Sequence, residues 1–353
     1  MTQAAILAAS GSPGTTTGFK NKLINGNMAI FQRATSVTAS NYFVDRWQYL
    51  ASQSSKGTAN QSSTAPTGFS FSSIFTSSSA YSVGASDYFV IDQSIEGFNT
   101  ADLAWGTANA KTVTLSFWVQ SSLTGTFGGA FRNAAGNRNY PFSYTISAAN
   151  TWEYKTVTVA GDTTGTWVGA TNGVGVDVSF GLGAGSSFSG TAGAWGTGNL
   201  VTCTGATSVV GTSGATFYIT GVQLEVGTTA TNFDFRSYTN ELQLCQRYYY
   251  YYTSSSENPV SNCCYYNTVS VYTVIQMPVT MRSAPTLSAT SGTSYYKVYR
   301  NGTANYFNTL SLDHSNINNV DLTNVESLSG TSGWAGWIRT HNVNSYIAFN
   351  AEL

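Results

Sequence analysis

The chain has 353 residues, a formal net charge of −1 and only 9% charged residues, against roughly 25% in an average soluble domain. The length is that of two domains, and 42% hydrophobic residues are enough to offset chain entropy, which excludes disorder. With no Lys/Arg cluster a nucleic-acid binder is excluded. The uncharged stretches 57–86 and 178–224 are broken by Gly, Ser and Thr, so neither offers the ~18 continuous apolar residues of a membrane helix.

Residues 1–20, MTQAAILAASGSPGTTTGFK, have no hydrophobic period and read as an extended arm. Their six-residue apolar patch with no basic start makes a poor signal peptide. From Leu23 onward the signal is strands. Residues 88–95 and 152–159 are strand-like. Residues 113–120 put Val113, Leu115, Phe117 and Val119 on one face. In 174–182, Val174, Val176, Val178, Phe180 and Leu182 share a face. Along 216–226 the phase flips: Phe217 and Ile219 point one way, and Val222, Leu224 and Val226 take the other parity. The flip predicts a β-bulge at Thr220-Gly221.

Two short helices are predicted. One runs from an Asn99 N-cap to Trp105, the other over 239–247. Tyr248 to Tyr252 then follow in succession, and the domain boundary is placed there. Beyond it, Val269 to Val279 alternate again, and the chain closes with Ile347 and Phe349 on a shared face. The expected architecture is all-β: an arm (1–20), a jelly-roll β-sandwich (21–246) and a smaller C-terminal β domain (247–353).

Four cysteines occur, Cys203, Cys245, Cys263 and Cys264. Adjacent Cys263 and Cys264 point to opposite faces of a strand, and no Cys/His spacing suggests zinc. Free, buried thiols are expected. No DxDxD cluster calls for calcium, and no metal or cofactor is expected.

Five segments together resemble phage and prophage tail-fibre proteins that carry a carbohydrate-binding-module-like jelly roll. They are LINGNMAIFQRATS (23–36) with Asp45-Arg46-Trp47, DLAWGTANAKTVTLSFWVQSS (102–122), NTWEYKTVTVAGDTTGTW (150–167), GATFYITGVQLEVG (214–227) and ELQLCQRYYY (241–250). The resemblance covers 23–250 well and 251–353 loosely. It implies a non-enzymatic virion fibre, made in the host cytoplasm and assembled as a homotrimer. Such a fibre contacts host-surface polysaccharide; residues 1–20, which the resemblance does not cover and which have no core-forming period, are read as the arm that docks it on another virion protein. A structural head fibre or capsid decoration protein is the alternative, and a polysaccharide depolymerase is the remote one.

The residues themselves point to stacking on sugars. Trp105, Trp167 and Trp195 lie in Gly-rich loops, LAWGTAN, TGTWVGA and GAWGTGN, and are expected to be exposed glycan platforms. The competing reading is an aromatic plug that pins those loops. Trp118 shares a polar strand face with Thr114, Ser116 and Gln120, as Trp152 and Tyr154 share one with Thr156 and Thr158; a covering loop is the alternative there. Trp47 reads as core, with Arg46 or Asp45 in an ion pair. Tyr248, Tyr249, Tyr250, Tyr251 and Tyr252 present rings on both faces and are read as an oligomer interface. Catalysis has little support. The two histidines, His314 and His341, have no acid at triad spacing, and Asp313 is expected to point away from His314 in a strand.

Overall fold

The computed structural model describes residues 20–353. The arm expected over 1–20 therefore lies outside the described residues except for Lys20. Within them the chain is all-β, and its first half is a jelly-roll-like sandwich. One sheet has seven strands in the order Asn41–Tyr42, Gln48–Ala51, Tyr88–Glu96, Val174–Ala184, Gly125–Arg132, Arg138–Ile146 and Gly196–Thr197. The facing sheet has five: Gly57–Ser62, Ser72–Ser77, Thr216–Val226, Val113–Ser121 and Glu153–Val159.

The alternation read from the sequence sets the core. Phe117, Val119, Phe217 and Leu224 from the five-stranded sheet meet Phe127, Tyr144, Val178 and Phe180 from the other, all in one buried cluster. Phe117 lies edge-on to Phe180 and Tyr144, with centroids 5.0 Å away in each pair. Each such ring contributes about 1.5–3 kcal/mol through burial, plus ~0.5–1.5 kcal/mol for the edge geometry. Trp47 is fully buried and donates its indole N–H to the Asn25 carbonyl at 3.0 Å.

The two helices form with shifted limits. The first is Gly97–Thr100, followed by a 3-10 turn over Ala101–Leu103; Glu96, not Asn99, occupies its N-cap and makes no side-chain cap. Backbone bonds from Gly97 and Phe98 to the Gly173 and Thr171 carbonyls replace that cap. The second is Tyr238–Gln246, capped by Ser237.

The remainder is a second sandwich. A three-stranded sheet, Tyr249–Ser254, Tyr346–Asn350 and Thr286–Ala289, packs on a seven-stranded one. The latter runs Thr303–Phe307, Tyr296–Arg300, Ala335–Thr340, Pro259–Tyr265, Val271–Gln276, Asn319–Asn324 and Leu310–Ser315. Tyr265, Tyr296, Ile338, Ile347 and Phe349 belong to its own buried cluster. Both Ile347 and Ala348 are fully buried because their strand lies in the middle of the three-stranded sheet.

The two sandwiches meet through charged and aromatic groups. Buried Arg46 pairs with Glu352, donates to the Ser94 carbonyl, and lies 3.7 Å from the Tyr248 ring centroid. Arg33 also reaches Glu352, at 3.2 Å, and sits 3.7 Å over Tyr249. Arg247 forks onto Glu96 at 2.6 and 2.9 Å, and Tyr248 donates to the same carboxylate at 2.6 Å. Arg282 donates to the carbonyls of Asn172, Ala351 and Glu352 at 2.7–3.0 Å. Asp45, whose carboxyl burial pushes up to about 6, accepts from Gln32.

The tyrosine run is largely used inside this one chain. Tyr248 and Tyr249 are buried, Tyr250 and Tyr252 pack on the second core, and Tyr251 stacks on Tyr346 at 6.3 Å. Tyr250, Tyr251 and Tyr252 keep partial exposure.

All four cysteines are free, but Cys264 is exposed where burial was expected. Its neighbour Cys263 takes the inner face, and burial pushes that thiol up to about 11.

Candidate functional site

The outer face of the five-stranded sheet carries a cleft of about 750 Å³, within the usual size of a ligand site. Its floor is Trp118 and Tyr154, opposed in register on neighbouring strands with rings 5.4 Å apart, together with Ser116. Trp118 points outward because Phe117 and Val119 point in.

The bulge that the phase flip predicts is present. The ladder between Thr216–Val226 and Val113–Ser121 skips from Thr220 to Gln223. Gly221 sits there at φ +61°, and a Cβ on it would lie 2.7 Å from Phe69 Cζ and 3.2 Å from Trp118 Cδ1. Only glycine accepts that backbone and that crowding without strain.

Past the bulge the strand's outward residues become Gln223 and Glu225, which staple the next segment across the face. The Glu225 carboxylate accepts from the Thr231 amide and hydroxyl, both at 2.8 Å, and the Gln223 carbonyl oxygen accepts from the Asp234 amide at 2.7 Å. These bonds hold Phe233 and Phe235 as one wall. Phe69 joins that wall, delivered by a turn in which the Phe69 amide donates to the Pro66 carbonyl at 3.0 Å. Gly68 at φ +93° supplies the left-handed position that such a turn requires. Phe69, Phe233 and Phe235 touch one another with centroids 4.8–5.3 Å apart. Thr67, Thr231 and Asn232 add polar groups to the rim. Among the described residues no charged side chain lines the cleft, since Glu225 is buried beneath the stapled segment.

The three loop tryptophans do come together, but at one end of the sandwich and against each other. Trp105, Trp167 and Trp195 form a mutual edge-to-face cluster with centroids 4.9–5.4 Å apart. Every indole N–H is already engaged: Trp105 with the Lys111 carbonyl (2.9 Å), Trp167 with Asp162 (3.1 Å) and Trp195 with the Ala160 carbonyl (2.7 Å). Trp105 is only 7% exposed and belongs to the core cluster, contrary to the expectation of an exposed platform. Its loop needs an anchor, and the Arg138–Asp162 ion pair beside it draws the loops inward. The adjoining crevice is about 50 Å³, room for a few waters at most. Of Trp105, Trp118, Trp152, Trp167 and Trp195, Trp118 is the one that lines the large cleft.

Phe69, Phe233 and Phe235 escape the sequence reading because their segments lie outside the ladders. The alternating Asn232-Phe233-Asp234-Phe235 after a strand end was the available signal. Asp313 and His314 also differ from expectation. A register shift between Leu312 and His314 lets the carboxylate reach the ring at 2.8 Å. The pair is exposed, and among the described residues no serine or cysteine bonds to the ring. No group of three or more His, Cys, Asp or Glu side chains suited to a metal ion occurs among the described residues.

No family model matches the chain, and no curated protein matches it. Several solved structures align with parts or most of the chain at low identity and low TM-score. Tailspike protein 4 of bacteriophage CBA120, its enzymatically active domain, aligns at 13% identity and a TM-score of 0.34, covering 59% of this chain and 21% of that one. TmCBM61 in complex with β-1,4-galactotriose aligns at 10% identity and a TM-score of 0.30, covering 59% and 99%. The tandem CBM22-1–CBM22-2 domain of Paenibacillus barcinonensis Xyn10C aligns at 6% identity and a TM-score of 0.30, covering 96% and 98%. Likenesses this distant leave the function to be argued from the site.

Proposed function

We propose that the chain binds neutral saccharide in the cleft over Trp118, without catalysis, as part of a phage virion fibre. The observation that carries the binding is the cleft's chemistry: about 750 Å³ bounded by Trp118, Tyr154, Phe69, Phe233 and Phe235, with Ser, Thr and Asn at its rim and no charge. Pyranose C–H faces stack on aromatic rings, and hydroxyls exchange hydrogen bonds with amide and hydroxyl groups. An apolar solute would not need the polar rim, and an ionic one would find no counter-charge. The fibre setting rests on the sequence resemblance, the trimer on that resemblance and the tyrosine run, and the docking arm on the lack of a core-forming period in residues 1–20.

Without ion pairs a single site should be weak, on the order of millimolar, and nearly indifferent to salt. Repetition on a particle would raise the effective strength by ~10² or more. The test is titration of the intact protein against a panel of neutral oligosaccharides, read by calorimetry or NMR. Trp118→Ala should weaken binding at least tenfold, while Trp167→Ala leaves it unchanged. Binding insensitive to Trp118→Ala would remove the site from this cleft. Binding of no neutral saccharide at all would favour a purely structural fibre.

A further inference from the structure

The second sandwich carries a cleft of a different character. It measures about 380 Å³ and is lined by Asn262, Tyr299, Arg300, Asn301 and Trp337. Tyr299 and Trp337 are register partners on adjacent strands, and their rings lie nearly parallel, 15° apart in plane at 6.4 Å. Trp337 is 51% exposed, so together they make a flat platform open to solvent.

Cationic groups surround it. The hairpin joining Tyr296–Arg300 to Thr303–Phe307 turns through Asn301 and Gly302, both at positive φ. This Asn-Gly pair is the type I′ preference. It leaves Arg300 at the tip, with its guanidinium carbon 3.5 Å from the Trp334 ring centroid. Among the described residues no carboxylate pairs with Arg300. Arg339 lies 5.4 Å from the Tyr299 ring and 5.9 Å from that of Trp337.

The acid nearby is already shared. Glu257 accepts Lys297 at 2.6 Å and His341 at 3.2 Å, and stands 4.0 Å from Arg339. Asp313 and Asp321 sit on the far strands of the sheet, Leu310–Ser315 and Asn319–Asn324. The platform therefore has surplus positive charge in a protein that carries little charge elsewhere.

We infer that this face is a second saccharide site, and that it takes a sugar bearing a carboxylate. The ring stacks on Trp337 and Tyr299, Arg300 receives the carboxylate through its planar fork, and Asn262 and Asn301 serve the hydroxyls. A bare anion would make no use of the aromatic platform, and a neutral sugar would leave Arg300 without a counter-charge. The inference does not depend on the Trp118 cleft.

The intact protein is titrated with a galacturonic acid oligosaccharide, with its neutral galactose counterpart and with inorganic phosphate. Acidic saccharide should bind at least tenfold more tightly than the neutral one. That binding should weaken at least tenfold in Arg300→Gln and in Trp337→Ala, persist in Trp118→Ala, and fall as salt rises. Both variants alter exposed or half-exposed side chains, and an unchanged melting temperature confirms their folding. Equal binding of neutral and acidic saccharide, phosphate competing at the acidic saccharide's own concentration, or binding indifferent to Arg300→Gln and Trp337→Ala would each overturn the inference. So would a failure of acidic saccharide to bind at millimolar concentration.

Discussion

Glu352→Gln tests how the sandwiches are joined. The Glu352 side chain is 4% exposed and serves two guanidinium groups, those of Arg46 (1% exposed) and Arg33 (8%). The amide keeps the shape and one acceptor oxygen but removes the charge. Two buried cations then face each other, with Asp45 the remaining acid near Arg33. Breaking a buried pair from one side is destabilising by about 3–5 kcal/mol. At about 2–4 °C per kcal/mol for domains of ~150–250 residues, the melting temperature should drop by roughly 6–20 °C. Guanidinium unfolding followed by tryptophan fluorescence measures the free energy, and a thermal scan the melting temperature. The double variant Arg46→Met with Glu352→Leu removes the charges of that pair, leaves Arg33 beside Asp45, and should recover part of the loss, because the pair's desolvation penalty goes with it. A Glu352→Gln loss below about 1 kcal/mol, typical of a surface pair, would refute the reasoning. So would a double variant less stable than Glu352→Gln.

Other perturbations follow from the same geometry. Trp105→Ala should destabilise by about 3–5 kcal/mol, since the ring is core, and chemical denaturation will show it. Gly221→Ala puts a Cβ in the left-handed region, at about 1–2 kcal/mol, and pushes on Phe69; saccharide binding should weaken while the circular dichroism of the sandwich persists. Burial, and then the charge of Asp92, raise the Asp177 carboxyl to about 7. The folded state thus keeps a proton that the unfolded chain releases near pH ~4. Stability from this group is present at low pH and falls as pH climbs from ~4 through about 7. Asp177→Asn should flatten that decline in a melting series, leaving the parts due to Asp45 and to Asp92, whose carboxyl burial also raises; an unchanged slope would refute the assignment. With all four thiols free, reductant should not move the melting temperature. A thiol reagent should react quickly with Cys264 alone.

The fold was legible where one face of a strand is buried and the other is not. Val113–Ser121 and Thr216–Val226 announce their inner residues by alternation, and the phase flip at Gly221 announces the bulge. The site was legible only in part, for a physical reason. Trp118 and Tyr154 are placed by the ladder, so parity reveals them. Phe69, Phe233 and Phe235 are placed by a turn and by side-chain staples from Gln223 and Glu225, and no periodic pattern encodes such tertiary bonds. The loop tryptophans mislead for the converse reason. A Gly-rich setting resembles an exposed loop, yet three indoles that satisfy their N–H groups internally become a plug. His314 follows the same rule as Gly221: a register shift changes which neighbours a side chain meets, and nothing in the Asp-His dipeptide marks it.

The cleft over Trp118 is built from two kinds of parts. Its floor belongs to ladder strands whose inner faces are core, so changes there disturb the sandwich. Its wall, Phe69 and the 230–235 segment, hangs outside the ladders on one turn and a few side-chain bonds. Lineages under pressure to recognise a different sugar can therefore rewrite the wall while the floor stays the same. Exchange of short segments around 66–69 and 230–235 between relatives is the route by which this scaffold would change what the cleft accepts.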